Sequence, residues 1–353
     1  MRAKVAVVGL GDIGLGLCRI LLDDSSASLV GAVDTGEGYK SHISSRARIG
    51  DVLGESRAGP EITDDIEKVY REDNPNILVL ATSSNLDSIK DSIDLAIKNK
   101  VHVVSPAEQL FFPEYFDPDE AARIDEAARK AYVSVIGRGV NPGLVTDLFP
   151  AHFAGQYHPD NIASIVVHRH DNTLQRRHAL LKKTGCWLSP EEFSEKNKMA
   201  LEGKPGFGHV GLEMSAAYMA DALELEDYTM RFSRNPVIAS EDIKPDDGDM
   251  IKKGQVCGLD EHCRIFDNNA DPEYDNIPRI MIHLRMNAEQ LNSNGVKVGL
   301  KDGLIKEHDY SNIINGDQAT VRILHDLVFQ VMYSEPGLNR MDYVPDPAML
   351  LKQ

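Results

Sequence analysis

Glu108 stands in a short apolar stretch with Ala107, Leu110, Phe111 and Phe112, directly after the run VHVVS at 101–105. A carboxylate among apolar groups has its pKa raised toward neutrality and becomes a usable general base. The alternative is a glutamate at a helix start, facing water. A second pattern opens the chain. KVAVVGLGDIGLG, at 4–16, sets Gly9, Gly11 and Gly14 in the spacing G-x-G-x-x-G. It lies between an apolar run (Val5, Val7, Val8) and a helical stretch over 13–22. The first glycine permits a tight turn, the second admits a pyrophosphate against the backbone, and the third lets helix pack on strand. Gly9, Gly11, Asp12, Ile13 and Gly14 are therefore the candidate phosphate site, at the positive end of a helix. A second apolar run, 29–33, ends in Asp34, 20 residues past Gly14, with Thr35 after it. A carboxylate there accepts from a ribose diol and repels a 2′-phosphate, which favours NAD over NADP. The plain alternative is an Asp that caps a strand. Arg46 and Arg48 lie downstream and soften the preference, so NADP stays possible.

Further candidates lie later in the chain. QRRHALLKKTGCWL, 175–188, holds Arg176, Arg177, Lys182 and Lys183, a basic island suited to a substrate carboxylate or to cofactor phosphates, or else a solvated loop. Trp187, the only tryptophan, would make an apolar wall. His209 and Glu213 are four apart at an expected helix start and share a face. They lack a third ligand, so His209 reads as a residue near the site or as packing. His168 and His170 share one face of a strand and read as sheet residues before ligands. Cys257, His262 and Cys263 match no common zinc spacing, and no metal is expected.

These residues need elements to hold them. The first part of the chain alternates strand and helix patterns, which predicts a doubly wound, Rossmann-type parallel sheet. After a long glycine- and serine-rich loop at 36–59 come a helix at 64–70, a strand at 76–81, a helix at 86–98, a strand at 101–105, a helix at 117–130 and a strand at 133–136. Ala81, Thr82 and Ser83 end one strand and Ser105 another, at the edge where the cofactor crevice lies. Asn141-Pro142-Gly143 breaks the pattern, marks a hinge and opens a helix to about Phe153. From Ile162 the pattern turns to alternating strands. Ile280, Ile282, Leu284 and Met286 alternate with Met281, His283, Arg285 and Asn287, as in a sheet covered on one face. A second α+β domain on a mixed or antiparallel sheet is expected, with helices near 190–200 and 208–223. The expected domains are 1–140 for the dinucleotide, 141–310 for substrate and dimerisation, and 311–353, whose helix at 316–332 returns to the first domain by analogy with two-domain dehydrogenases.

The 353 residues suffice for two cores. With 38 basic and 55 acidic residues the net charge is −17, which argues against nucleic acid or an anionic membrane as partner. No apolar run approaches the roughly 20 residues of a membrane span. The chain runs straight into a strand without a signal-peptide pattern. Four cysteines without a C-x-x-C pair read as reduced thiols, so a cytoplasmic protein is expected.

The chain resembles the 2,4-diaminopentanoate dehydrogenases and the related native NAD(P)-dependent amine dehydrogenases, whose first domain is like that of dihydrodipicolinate reductase. The matches are Gly9-Leu10-Gly11 with Gly14, residues 105–110 with Glu108, and Gly139-Val140-Asn141-Pro142-Gly143. Lys182-Lys183-Thr184-Gly185, Pro190-Glu191-Glu192-Phe193 and Gly208-His209-Val210-Gly211-Leu212 follow. Gly316-Asp317-Gln318-Ala319-Thr320 and Pro336-Gly337-Leu338 complete a series that runs in order over nearly the whole chain. The resemblance implies a homodimer that interconverts a primary amine with a ketone and ammonia by hydride transfer, with Glu108 as the catalytic carboxylate. Asn141 and Pro142 would join the cofactor site, and Val140, Val145, His168, Arg177, Trp187 and His209 would line the substrate pocket. Trp187 is bulky where a small residue is expected. Residues 168–183 lack the His-His pair and lysine pattern of dihydrodipicolinate reductases, which argues against the diaminopimelate-pathway reaction. Two other readings stand beside this one, an NAD(P)-dependent imine or carbonyl reductase and an NAD-sensing regulator without turnover.

Overall fold

Valine-rich segments that are apolar at every position need cover on both sides, and the chain supplies it. The structure, a computed structural model, describes residues 2–34, 47–202, 207–269, 277–289, 292–310 and 316–340. In chain order the elements begin β1 Ala3–Val8, α1 Asp12–Asp23, β2 Ala27–Val33, α2 Ile49–Leu53, β3 Ile62–Thr63, α3 Ile66–Glu72, β4 Ile77–Leu80 and α4 Lys90–Lys98. Then come β5 His102–Ser105, α5 Pro113–Phe116, α6 Pro118–Ala131 and β6 Ser134–Gly137. The next stretch holds α7 Leu148–Ala154, β7 Ile162–Asn172, α8 His178–Lys183, α9 Pro190–Leu201, α10 Leu212–Ala222 and β8 Tyr228–Ile238. It continues with β9 Val256–Asp267, β10 Ile280–Asn287, β11 Ser293–Leu300 and β12 Ile305–Asp309, and the chain closes with α11 Gly316–Gln330 and β13 Gly337–Asn339. The chain divides into two units, one of residues 1–143 with 315–353 and one of 144–314.

In the first unit seven strands lie in the order β13-β6-β5-β4-β1-β2-β3, and every pair is parallel. This is the doubly wound parallel sheet that the sequence predicts. β4 shows how it is covered. Ile77 and Val79 face one layer, with Leu17 and Leu21 of α1 and Leu324 and Val328 of α11. Leu78 and Leu80 face the other, with Ile93 of α4 and Ile124 of α6. Period-two alternation buries both sets, as a two-sided sheet requires. Gly16 of α1 lets α11 approach, since a Cβ there would lie 2.9 Å from Val321 Cγ2.

The second unit is built on a mixed six-stranded sheet, β12-β11-β7-β10-β9-β8, with β7 and β10 parallel and the other neighbours antiparallel. α10 packs on β9 and β10, and α7 on β7 and β11. Ile280, Ile282 and Leu284 are wholly buried, whereas Met281, His283 and Arg285 are half-buried on the opposite face. Asn287 departs from the expected alternation. It is buried, its carbonyl accepts from Thr173 N and its side chain from Glu289 N.

Helix starts differ from the sequence expectation most at three places, and the one expected at 86 opens as a 3-10 turn over Leu86–Ser88 and becomes α4 only at Lys90. The helix expected from 141–143 begins at Leu148, because Gly143 takes φ +123° and Asp147 caps Leu148 N at 2.6 Å. The helix expected from Gly208 begins at Leu212. Gly208 takes φ +74°, so His209 lies in the turn before the helix and shares no helical face with Glu213. Among the described residues no helix is long and apolar enough to cross a membrane. Cys18, Cys186, Cys257 and Cys263 are buried and unpaired, and burial pushes the Cys186 thiol up to about 11.

Candidate active site

The carboxyl ends of the parallel strands carry most of the candidate residues of the first unit. After β1, Gly9 turns with φ +91° and sits against β4's end, where a Cβ would lie 2.7 Å from Ala81 O. Gly14 sits over that turn, where a Cβ would lie 1.9 Å from Gly9 O. Only glycine fits these two places. Gly11 differs, because nothing lies within 4 Å of where its Cβ would be. It is the N-cap of α1 and brings no side chain to the first-turn N–H groups of Asp12, Ile13 and Gly14. Asp34, at the end of β2, accepts from Leu10 N at 2.7 Å and so ties the second strand to the glycine turn. Thr35 and Arg46 lie outside the described residues.

Glu108 stands past β5, on the far side of β4 from the glycine turn. It begins a one-turn 3-10 helix there and is only 9% exposed. Ser84 Oγ donates to its Oε1 at 3.1 Å. The turn is fixed from both sides. Gln109 N donates to Ser84 O, and Gln109 Oε1 accepts from Leu86 N. Gly137 lets β6 approach, since a Cβ there would lie 2.2 Å from Leu110 O. Ser105 is wholly buried, and its hydroxyl donates to Leu80 O and accepts from Ala107 N. It therefore locks β5 to β4 beneath the Glu108 turn and presents no open hydroxyl at the edge. Thr82 is exposed and Ser83 half-buried, on the β4 side of the same turn. Past β6, Arg138 Nε donates to Gly143 O and Gly139 N to Pro142 O. These bonds close a tight turn that carries buried Val140 and Pro142 and half-buried Asn141. One sheet edge thus aligns a glycine cradle, a carboxylate at the β2 end, a hydroxyl-rich strand end and a buried glutamate.

In the second unit the candidates separate. Val145 is buried, and its carbonyl accepts from Tyr310 OH at 3.0 Å. His209 is buried in a turn held by a buried ion pair: Arg234 Nε meets Glu261 Oε1 at 2.5 Å, and Arg234 Nη2 donates to His209 O at 2.9 Å. Glu261 alternates along β9 with Asp260 and His262, so it belongs to the helix-covered face. His168 lies across from His283 on the other face. The sheet thus stands between His168 and His209, and one pocket does not take both. Within the basic island, Arg176 is buried and pairs with Asp171 at 2.7 Å. Arg177 stands at the N-cap position of α8 without a capping bond from its side chain, and Lys182 is exposed. Trp187 packs on His178, with ring centroids 4.8 Å apart, and its indole N–H donates to Asp249 O.

A group that local spacing does not reveal lies on the half-buried face of this sheet. Asp260 Oδ1 is 3.0 Å from His262 Nε2 and 2.9 Å from His283 Nε2. His170 Nε2 is 3.2 Å from His283 Nδ1. Burial pushes His262 and His168 below the usual histidine range, and burial with His283 nearby pushes His170 down to about 4. The signal in the sequence is a period-two series on two strands, but only their register makes it a cluster.

The model of the 2,4-diaminopentanoate dehydrogenase C-terminal domain matches residues 153–353. A curated 2,4-diaminopentanoate dehydrogenase of Acetoanaerobium sticklandii is 28% identical over 365 residues, 99% of this chain and 95% of that protein. An amine dehydrogenase structure from Mycobacterium smegmatis has a TM-score of 0.79 at 19% identity, over 98% of this chain and 97% of that one. GenD2 from gentamicin A biosynthesis, solved with NAD, gives 0.54 at 14%, over 98% and 90%. Dipicolinate-bound dihydrodipicolinate reductase from Paenisporosarcina sp. TG-14 gives 0.50 at 15%, over 95% and 97%. At these identities the solved structures show a shared fold.

Proposed function

The chain belongs to the 2,4-diaminopentanoate dehydrogenase family, and on that premise we propose that it interconverts a primary amine with a ketone and ammonia, using NAD(P), with Glu108 handling the substrate's proton. The observation that carries the reading is the buried Glu108 on the same sheet edge as the glycine cradle, held by the Ser84 hydroxyl. The cradle fits a dinucleotide, since Gly9 and Gly14 are closed to any side chain while the space over Gly11 is open at a helix N-terminus. Gly9, Gly11, Asp12, Ile13 and Gly14 hold the pyrophosphate, and Asp34 with Thr35 the adenosine ribose. Ala81, Thr82, Ser83, Asn141 and Pro142 border the nicotinamide, with Ser105 bracing them from below. When bound, the nicotinamide supplies the hydride acceptor.

The rest is work for the chain's own groups. An ammonium has no lone pair to stabilise the cation that forms as hydride leaves its carbon, so the amine must first be neutral. Glu108 takes that proton. Once that proton has passed to solvent, the restored carboxylate charge favours the substrate iminium. The same carboxylate takes a proton from the water that attacks the iminium carbon and returns it to the departing nitrogen, releasing ammonia and ketone. In total, one ammonium substrate, one oxidised cofactor and one water give ketone, ammonium ion, reduced cofactor and a proton. Val140 lies in the turn next to that edge, and Val145, Arg177, Trp187 and His209 are the remaining specificity candidates. The resemblance supports a homodimer, and four reduced cysteines with a charge of −17 support a cytoplasmic protein.

The deciding experiment follows oxidation of NADH and NADPH with a panel of ketones and keto acids, with and without ammonium. Ammonium-dependent consumption is expected. Consumption without ammonium would make the chain a carbonyl or imine reductase. Cofactor binding without consumption across the panel would point to a sensor. Glu108→Gln should cut amine turnover by roughly 10²–10⁴-fold with NADH affinity unchanged. A near-normal rate in that variant would remove Glu108 from the mechanism.

A further inference from the structure

We propose that Asp260, His262 and His283 form a binding site for a divalent transition-metal ion of the zinc class on the half-buried face of the second unit's sheet, with His170 orienting His283. Among the described residues this is the one group of three or more His, Cys, Asp or Glu side chains whose donor atoms converge, all within 4.8 Å of one another. Strand register brings them together. β9 and β10 run antiparallel, and His262 stands directly opposite His283. The two imidazoles stack with centroids 4.1 Å apart and planes 13° apart, and both direct Nε2 at Asp260 Oδ1.

Metal–ligand bonds of about 2.0–2.2 Å place neighbouring donor atoms roughly 3–3.5 Å apart. The two N–O separations of 3.0 and 2.9 Å lie at or just below the short end of that span, and the stacked rings must swing apart about their side-chain torsions so that both in-plane Nε2 lone pairs meet one ion. The donor set is two imidazoles and one carboxylate, which suits zinc and its borderline neighbours over calcium or magnesium. The supports around it are in place as well. His170 Nε2 faces His283 Nδ1 at 3.2 Å, where it accepts a hydrogen bond from Nδ1–H once His283 Nε2 binds metal. Arg285 Nη1 lies 3.7 Å from Asp260 Oδ2 and leaves Oδ1 to the rings. The three side chains keep 21–23% of their surface exposed, which gives an ion an entry path. With three protein ligands the ion keeps open positions for water or a small anion, and it clamps β9 to β10.

The test uses the full-length protein, freed of any affinity tag, stripped with chelator and dialysed against zinc(II). Bound zinc is counted by mass spectrometry, its affinity measured by calorimetry, and cobalt(II) substituted for its absorption spectrum. One ion per chain, a raised Tm and a four- to six-coordinate cobalt spectrum with nitrogen ligands are expected. His262→Gln, His283→Gln and Asp260→Asn should each weaken binding by tenfold or more, and His170→Gln by about tenfold. His308→Gln, remote from the cluster, should leave binding unchanged. Circular dichroism separates a lost site from a lost fold, and whichever ligand variants remain folded decide the case. Substoichiometric zinc at saturating concentration, or binding that the three ligand substitutions leave unmoved, would overturn the site. Neither result touches the amine dehydrogenase reading, which the ammonium experiment tests separately.

Discussion

Gly11 and Gly14 lie three residues apart in one turn, yet alanine should fail at each for a different reason. At Gly14 the new methyl would stand 1.9 Å from a backbone oxygen, so the turn itself must move. Gly14→Ala should lose about 3 kcal/mol or more of stability, by the cost of forcing atoms into a packed core. At Gly11 the methyl meets nothing, and φ is −74°, a value alanine accepts. Gly11→Ala should lower Tm by only a few degrees, the roughly 0.5–1 kcal/mol that alanine costs at an N-cap, while NADH affinity falls at least about tenfold, since only a ligand occupies that space. Titrating NADH fluorescence against a thermal scan checks both. Asp34→Ser should weaken NAD by roughly 10–100-fold, the worth of hydrogen bonds to a charged acceptor, and NADP by less. Equal losses for the two cofactors would place Asp34 away from the ribose and leave it as the residue that ties Leu10.

At the scale of elements, α1 and α11 illustrate a junction that titrates. His325 Nε2 lies 2.7 Å from Asp24 Oδ2, just past the end of α1. A hydrogen bond to Asp326, with Asp24 adding to it, holds His325 above its ordinary value of 6.5 against the effect of burial. Burial pushes Asp24 up, but hydrogen bonds from Ser26 N and His325 outweigh it and leave the carboxyl below 3.8. The signs are opposite. Asp24's contribution is complete above its ordinary value and vanishes as pH falls through its lowered one. His325's contribution is complete below about 6.5 and vanishes as pH rises through its raised value. His325→Gln should therefore cost roughly 1–2 kcal/mol near pH 5.5 and little near pH 9, by urea denaturation at the two pH values. Local pattern made much of this scale legible. The glycine turn, Asp34 and Glu108 follow from apolar runs and the residues that end them, since a parallel strand's carboxyl end is marked along the chain itself. The starts of α7 and α10 were not legible that way, because left-handed glycines at 143 and 208 delay them. Nor was the Asp260–His262–His283 group, whose members meet through pairing of strands that the sequence separates. The same alternation that buries Glu261 on one face of β9 puts His262 on the other, and a list of histidines does not say which face is which.

The molecule as a whole is a chain whose first unit is finished by its last described segments. α11 contributes Val321, Leu324, Leu327 and Val328 to the core of that unit, and β13 pairs with β6 at the sheet edge. At about 1.5–3 kcal/mol for each fully buried side chain, these residues account for on the order of 10 kcal/mol, comparable with the whole stability of a domain. A chain truncated after residue 314 should keep the second unit's strand signal by circular dichroism but lose NADH binding. If the truncated chain bound NADH normally, the contribution assigned to α11 would be wrong. The same arrangement has a consequence during synthesis. When residue 143 leaves the ribosome, the apolar stripe of α1 is bare, and its partner helix is still about 170 residues from being made. At roughly 5–20 residues per second that interval is about 10–35 s. Through that time the nascent chain carries an exposed greasy surface that chaperones recognise, while the contiguous second unit has all it needs to fold first.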